Sequence, residues 1–150
     1  MQAISYARYG PPSVLEVREQ ALPEPGPGEV RVQLAAAAVA QVDAKLRAGL
    51  LRTHFPLTLP KIPGRDGVGR VDKLGLGVNG WSVGEDVCVL AAPLLAGTYA
   101  SAIVCDAARI VRRPRGLTLQ QAAALLQPGA SAWAAVACAG LEPGMRVLVH

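Results

Sequence analysis

The chain has 150 residues, the size of one compact domain, and a chain of that length buries about 68–70% of its unfolded surface. Hydrophobic residues at 51% against charged residues at 17%, with a mean hydropathy of +0.31, exclude intrinsic disorder. Arg, Asp, Pro or Gly interrupts every apolar run before the roughly 18 residues a bilayer requires. Fifteen Lys and Arg against eleven Asp and Glu leave a net charge of +4, a mild excess that names no partner by itself.

The chain opens on Met1-Gln2-Ala3-Ile4-Ser5-Tyr6-Ala7-Arg8, which alternates like a strand and has no charged segment followed by an apolar one. It does not read as a secretory signal, and a cytoplasmic, non-membrane protein is expected. Gly and Pro fall in clusters, such as Pro23-Glu24-Pro25-Gly26-Pro27-Gly28 and Gly75-Leu76-Gly77, that separate short Val- and Ile-rich runs. Strands are expected at Gln2–Tyr9, Leu15–Gln20, Glu29–Ala38, Gly67–Leu74, Asp86–Leu90, Tyr99–Cys105 and Ile110–Arg112, the rhythm of a small β-barrel or sandwich. Gln41–Ala48 is a helix former, and Gly49 follows where a left-handed C-terminal cap is needed.

After Pro114 the texture changes. Thr118-Leu119-Gln120-Gln121 is a capping-box pattern that starts a helix at Leu119 and carries it to Leu126. Pro128-Gly129 is expected to break it, with Ser131 capping a second helix through Ala139 that Gly140 ends. Leu141-Glu142-Pro143-Gly144 reads as a type II turn, feeding an apolar strand over Met145–His150 of the kind buried on both faces of a parallel sheet. That strand has no sheet to join. Either it pairs in trans with a partner or a second copy of the chain, or the chain stops at the threshold of a second domain; the second reading is favoured.

Cys88, Cys105 and Cys138 are odd in number, widely spaced and set in apolar sequence, so buried reduced thiols are expected rather than disulfides or a metal knuckle. Arg109, Arg112, Arg113 and Arg115 form one basic cluster. Without interleaved aromatics or a recognition helix it reads as a solvated strand edge and not as a nucleic-acid surface. His54, beside Pro56 and without a nearby Cys or carboxylate, reads as a surface residue.

These segments, in order, resemble the medium-chain dehydrogenase/reductase superfamily and, within it, the zinc-independent quinone oxidoreductase (zeta-crystallin-like) group. The resemblance rests on Gly10-Pro11-Pro12-Ser13-Val14-Leu15-Glu16-Val17, the Pro23–Val30 turn, Val42-Asp43 with Arg47-Ala48-Gly49, Pro63–Val71, Val83–Val87, Gly97-Thr98-Tyr99-Ala100 and Gly140–His150. It implies a chaperonin-10-like (GroES-like) barrel over residues 1–115 as the catalytic half, mostly β with helices. Residues 116–150 would then be two bridging helices and the first strand of a truncated Rossmann domain. The activity implied is NADPH-dependent reduction of a quinone or a conjugated enone or enoyl substrate, with most of the NADPH contacts lying after residue 150. The isolated 150 residues are expected to be inactive, and enoyl-reductase domains of polyketide synthases are similar.

Zinc-dependent relatives carry a Cys where this chain has Ala40 and a His where it has Arg65. A methyl group has no lone pair and a guanidinium stays protonated, so neither binds zinc, and no zinc is expected. The resemblance also places Gln41 and the Ser131 hydroxyl against the cofactor, and Ala40, Leu51, Arg65 and Tyr99 around the substrate pocket. Quinone reductases usually have Asn at the place of Ala40 and Tyr at that of Leu51. Asp43 reads as a first-turn helix carboxylate or an ion-pair partner of Arg65 rather than a general base. Gly64, Gly67 and Gly69 lead into a barrel strand rather than forming a nucleotide loop. A different class of function stays open as well: a non-catalytic barrel module that associates through its C-terminal strand.

Overall fold

The structure is a computed structural model and describes residues 1–92 and 94–149. Its elements are β1 (Gln2–Ser5), β2 (Glu16–Glu19), β3 (Glu29–Ala37), α1 (Gln41–Arg47), β4 (Asp66–Leu74), β5 (Asp86–Leu90), β6 (Ala102–Asp106), β7 (Ile110–Arg112) and α2 (Leu119–Cys138). β1 and β2 form a two-stranded sheet, and the other five strands pair in the order β6-β3-β4-β5-β7. All pairings are antiparallel.

The five-stranded sheet curls into a barrel, and connectivity requires it. β6 and β7 stand at opposite ends of the strand order, yet only the single turn Ala107–Arg109 separates them in the chain. Such a link reaches about 14 Å at most, whereas the outer two of five flat strands would sit about 19 Å apart. Register shifts between Arg31 and Val32 and between Leu34 and Ala36 bend β3 to the same end. β1 joins the barrel wall through the 99–101 segment, where the Ile4 amide donates to the Tyr99 carbonyl at 2.8 Å and the Ser101 amide to that of Gln2 at 2.8 Å.

The period of two along β5 divides the core. Val87 and Val89 face the barrel interior with Val30, Val32, Val71, Ile103 and Ile110. Cys88, between them, faces outward with Val68 under Ala122 and Ala123 of α2. α2 therefore covers one outer face of the barrel. A second link fixes it, the Gln127 amide donating to Asp66 Oδ1 at 2.9 Å. No helix among the described residues is long and apolar enough to cross a membrane.

Several expectations need correction. The two helices expected after Leu119 are one, because α2 runs through Pro128 to Cys138. The capping box forms as read, with the Gln121 amide donating to Thr118 Oγ1 at 3.2 Å and the Thr118 amide to Gln121 Oε1 at 3.0 Å. Pro128 removes one donor, but the Ala-rich sequence on both sides has the highest helix propensity and carries the helix past it. Ser131 thus lies inside α2 and caps nothing. Gly140, at φ 59°, does end the helix.

Met145–Val149 form no strand and are exposed; His150 lies outside the described residues. Without a neighbouring strand, an apolar run has nothing to satisfy its backbone groups in an extended ladder. The turn before it forms one residue later than read, over Glu142–Met145, with Gly144 at φ 90° and the Met145 amide donating to the Glu142 carbonyl at 3.2 Å. β1 stops at Ser5 and β6 begins at Ala102 rather than at Tyr99. Cys88 and Cys105 are buried, but Cys138 is exposed because the second half of α2 has no cover.

Candidate functional site

α1 begins where β3 ends, and its first turn lies against the Pro63–Gly64 and Thr98–Tyr99 segments. Asp43 sits in that first turn and is buried, with 5% exposure. Its Oδ2 accepts from the Ala40 amide at 3.0 Å and from the Tyr99 hydroxyl at 3.2 Å. The first bond is half of a capping box; the Ala40 methyl cannot supply the other half. Asp43 is thus the first-turn carboxylate expected, and its partner is Tyr99 rather than Arg65. Arg65 lines the same crevice as Asp43 but turns its Nε toward the Ala91 carbonyl at 3.5 Å.

Tyr99 is held from behind as well. Gly64 has φ 96°, and a Cβ there would stand 2.4 Å from Tyr99 Cδ1 and 2.5 Å from Thr98 Oγ1. The position admits only glycine, for its left-handed backbone and for the close approach of the ring. Burial, and then the negative charge of Asp43, push the Tyr99 hydroxyl well above its ordinary value of 10.0. That hydroxyl is a donor and not a titrating acid. Tyr6, buried on the other side, is pushed up to about 12, chiefly by desolvation.

Three depressions surround this centre. One of about 350 Å³ is lined by Ile4, Leu34 to Ala37, Val39, Thr98, Tyr99 and Ala100. A second, of about 270 Å³, is lined by Ile4, Leu15, Val39, Asp43, Ala44, Arg47, Pro63 and Tyr99. The third, of about 10 Å³, is a crevice between Tyr6, Asp43, Lys61 and Arg65 with room for about one water. Ile4, Val39 and Tyr99 line both of the larger ones, which share a wall at the Tyr99 ring.

The residues nominated from sequence are brought together only in part. Tyr99 and Arg65 line these depressions, whereas Ala40, Gln41, Leu51 and Ser131 line none of the three. Gln41 is exposed at the first position of α1, Ser131 is exposed on α2, and Ala40 and Leu51 are half-buried. His54 is exposed, as read.

Sequence reading missed Lys61 and Arg47. Lys61 is buried at 7% exposure, and its Nζ donates to the Leu95 carbonyl. Desolvation lowers its pKa, against the opposing charge of Asp43. The signal for it was a lone cation set between Pro60 and Ile62. Arg47 was quoted as part of a motif, but its place in a cleft depends on the packing of α1 against Gly10 and could not be read from periodicity.

Among the described residues no group of three His, Cys, Asp or Glu side chains is placed to hold a metal ion. The glycines of the Gly64–Gly69 segment do not form a phosphate cradle. A Cβ at Gly67 would meet Leu34 and Thr98 at 2.9 Å, and one at Gly69 would meet the Gln33 carbonyl oxygen at 2.0 Å. Protein atoms already fill the space these glycines leave. Two arginines of the Arg109–Arg115 cluster are tied up within the protein: Arg112 Nε pairs with Glu85 at 3.1 Å and its guanidinium lies 4.8 Å over the Trp81 ring, and Arg113 Nη2 pairs with Asp86 at 3.0 Å. These contacts fit an edge strand, the place β7 takes in the sheet.

The family model described as the alcohol dehydrogenase GroES-like domain matches residues 26–115, which hold β3 to β7 and α1. The chain belongs to this GroES-like family. Its relatives include quinone oxidoreductases of the medium-chain dehydrogenase/reductase superfamily. A quinone oxidoreductase of Pseudomonas aeruginosa is 37% identical over 127 residues, covering 84% of this chain and 37% of that protein. The 2-methylene-furan-3-one reductase of Solanum lycopersicum is 32% identical and is matched over 99% of this chain and 40% of its own length. The Escherichia coli quinone oxidoreductase, solved with NADPH, superposes with a TM-score of 0.82 at 27% identity, over 91% of this chain and 40% of that one. This GroES-like chain therefore spans well under half the length of these relatives.

Proposed function

We propose that the chain supplies the acceptor-binding half of a zinc-independent oxidoreductase that reduces a quinone or a conjugated enone or enoyl compound with NADPH. Residues 1–115 would be the catalytic barrel, and residues 116–150 the passage toward a nucleotide-binding domain. The observation that carries this reading is the pair of apolar depressions meeting at Tyr99, beside the two places where zinc-dependent relatives have metal ligands and this chain has Ala40 and Arg65. An apolar cleft with few, fixed polar groups suits a neutral, flat acceptor.

NADPH would supply the hydride. The Gly64–Gly69 stretch offers the phosphates of that cofactor no cradle, because protein atoms fill it. Gln41 and Ser131, both exposed, are proposed to touch its nicotinamide side only, and Ala40, Leu51, Arg65 and Tyr99 to border the acceptor. The protein's part is to orient the acceptor and exclude water from one of its faces. A cytoplasmic place, outside membranes and without nucleic acid, accompanies this reading.

The test is NADPH oxidation by the full-length enzyme containing this sequence, with a benzoquinone and with a cyclic enone, before and after exhaustive chelation. Turnover that survives chelation is expected. Turnover abolished by chelation and restored by zinc would overturn the proposal, as would NADPH oxidation by the 150-residue chain alone.

A second reading, a module that associates with a partner or a second copy through its C-terminal segment, draws on the exposure of Leu148 and Val149, each 90%. Light scattering on the purified chain tests it. A monomer at all concentrations would dispose of it.

A further inference from the structure

We propose that Arg47 anchors the oxygen of the acceptor, which binds as a single-ring carbonyl compound in the cleft between α1 and Tyr99. The inference rests on the reductase reading for the class of ligand, and on the geometry of the cleft for everything else. Three cations border the depressions around Asp43. Lys61 donates to the Leu95 carbonyl, and Arg65 reaches toward that of Ala91; both face the crevice of about 10 Å³, which no ring can enter. Arg47 faces the cleft of about 270 Å³. That volume lies at the small end for an organic ligand, enough for one ring.

The side chain of Arg47 is fixed at one end only. Its Nε donates to the Gly10 carbonyl at 3.2 Å, and among the described residues both Nη groups are without a protein partner. Arg47 is half-buried, and its four Nη–H donors, open to solvent at the rim of an apolar cleft, are available to an acceptor oxygen that enters it. The nearest carboxylate, Asp43, is already committed to the Ala40 amide and the Tyr99 hydroxyl. Its negative charge offsets that of Arg47 on the lining of the same cleft, which leaves the cleft without a net charge and suited to a neutral ligand with a polarised oxygen. The remaining walls, Ile4, Leu15, Val39 and Ala44, are apolar.

The positions otherwise expected to polarise such an oxygen hold Ala40 and Leu51, which carry no side-chain donor, and Arg65, which lines only the crevice of about 10 Å³. A guanidinium at this place holds the oxygen and favours any negative charge that builds on it. Its position in the last turn of α1 also complements the helix dipole.

Acetophenone, a neutral single-ring ketone inert toward the exposed Cys138, is the probe, and ethylbenzene its counterpart without oxygen. Each is titrated into the isotopically labelled 150-residue chain while the amide signals of Ile4, Ala44 and Tyr99 and the Nε–H signal of Arg47 are followed. Acetophenone is expected to shift these signals saturably and to bind about tenfold more tightly than ethylbenzene, the worth of one hydrogen bond to a charged group. Arg47→Leu is expected to remove that preference while leaving ethylbenzene binding in place.

Should Arg47→Leu fail to fold, Ala44→Phe, at an exposed position of α1 that lines the cleft, fills it while leaving Arg47 in the chain and is expected to abolish binding of both probes. Equal affinity for the two probes, or shifts that map instead to a separate groove of about 250 Å³ under α2, lined by Cys88, Leu117, Ala122 and Leu126, would overturn the proposal. Because these titrations use no NADPH, a cleft that binds as expected in an enzyme that does not turn over would sink the reductase reading alone. Turnover with no Arg47-dependent binding would sink only the anchor.

Discussion

The Tyr99 hydroxyl donates to Asp43 Oδ2 at 3.2 Å across a sequence separation of 56 residues, and this bond ties the approach to β6 to the first turn of α1. Because the carboxylate is buried, taking the donor away leaves a charged acceptor short of one partner. Tyr99→Phe is expected to cost about 1.5–3 kcal/mol in urea denaturation. A loss within a few tenths of a kcal/mol would mean that water replaces the hydroxyl and that the bond contributes little.

Gly64 lies directly behind the same ring. Gly64→Ala puts a Cβ within van der Waals overlap of Tyr99 and Thr98 at a φ of 96°, so strain and overpacking add, about 1–3 kcal/mol from each source. The variant is expected to shift the Tyr99 ring and to lose binding of an aryl ketone even where it stays folded. Gly77→Ala also has positive φ but nothing within 4 Å of the added Cβ, and is expected to lose only the backbone component. Equal destabilisation by the two would show that the ring contact is unimportant.

Two aspartates should respond to pH with opposite signs. Asp86 accepts from Arg113 and Arg70, and these guanidinium groups hold its carboxyl below the ordinary 3.8. Its contribution to stability is therefore in place above 3.8 and is lost as pH falls through the lower folded value. Asp66 is raised above 3.8, chiefly by burial, against the opposing Gln127 amide and Arg65 charge. It favours the fold most when protonated, and that advantage is lost as pH rises through the folded value.

Thermal melts at pH 3 and pH 7 separate the two. Asp86→Asn is expected to be destabilised relative to the parent chain at pH 7 and less so at pH 3. Asp66→Asn keeps an oxygen for the Gln127 amide and is expected to gain on the parent chain between pH 3 and pH 7. The reverse ordering would refute both assignments.

Much of this architecture was legible because strand alternation and turn residues are local signals. Asp86–Leu90 and Ile110–Arg112 fall where the alternating Val and Ile place them, and Gly49 at φ 78° ends α1 as a left-handed cap should. What failed was long-range. Pro128 reads locally as a break, but the helix is nucleated by the capping box at Thr118 and propagated by alanines, and a single missing donor does not stop it. Met145–His150 reads as a strand, yet an extended run becomes one only beside a partner, and none stands beside Met145–Val149 among the described residues. At the site, the resemblance pointed to Tyr99 and Arg65, while Arg47 and Lys61 emerge only when α1 folds back on the residues before β4.

The three thiols differ by position. Cys88 and Cys105 are buried, and desolvation raises both, Cys105 to about 12. Cys138 is exposed at the end of α2. Since the thiolate is the nucleophile, iodoacetamide at pH 8 is expected to add one label to the native chain, at Cys138, and three in denaturant. A second label appearing at the same rate in the native chain would mean that the barrel opens on the timescale of alkylation.

The Pro128 position of α2 offers a gain in stability. Proline there lacks the N–H that would donate to the Ala124 carbonyl, and its ring crowds that carbonyl, at a cost of up to about 3 kcal/mol in a helix interior. Upstream, Ala122 and Ala123 pack on the barrel and Asp66 accepts from Gln127, so that half of the helix is held. Downstream, residues 130–138 are exposed and depend on helix propagation alone. Pro128→Ala is therefore expected to act locally: amide exchange over residues 129–138 slows by one to two orders of magnitude or about 1.4–2.8 kcal/mol, helical ellipticity rises, and protection of β3 to β5 is unchanged. Faster exchange in that segment would mean that the proline is needed to set the direction in which α2 leaves the barrel.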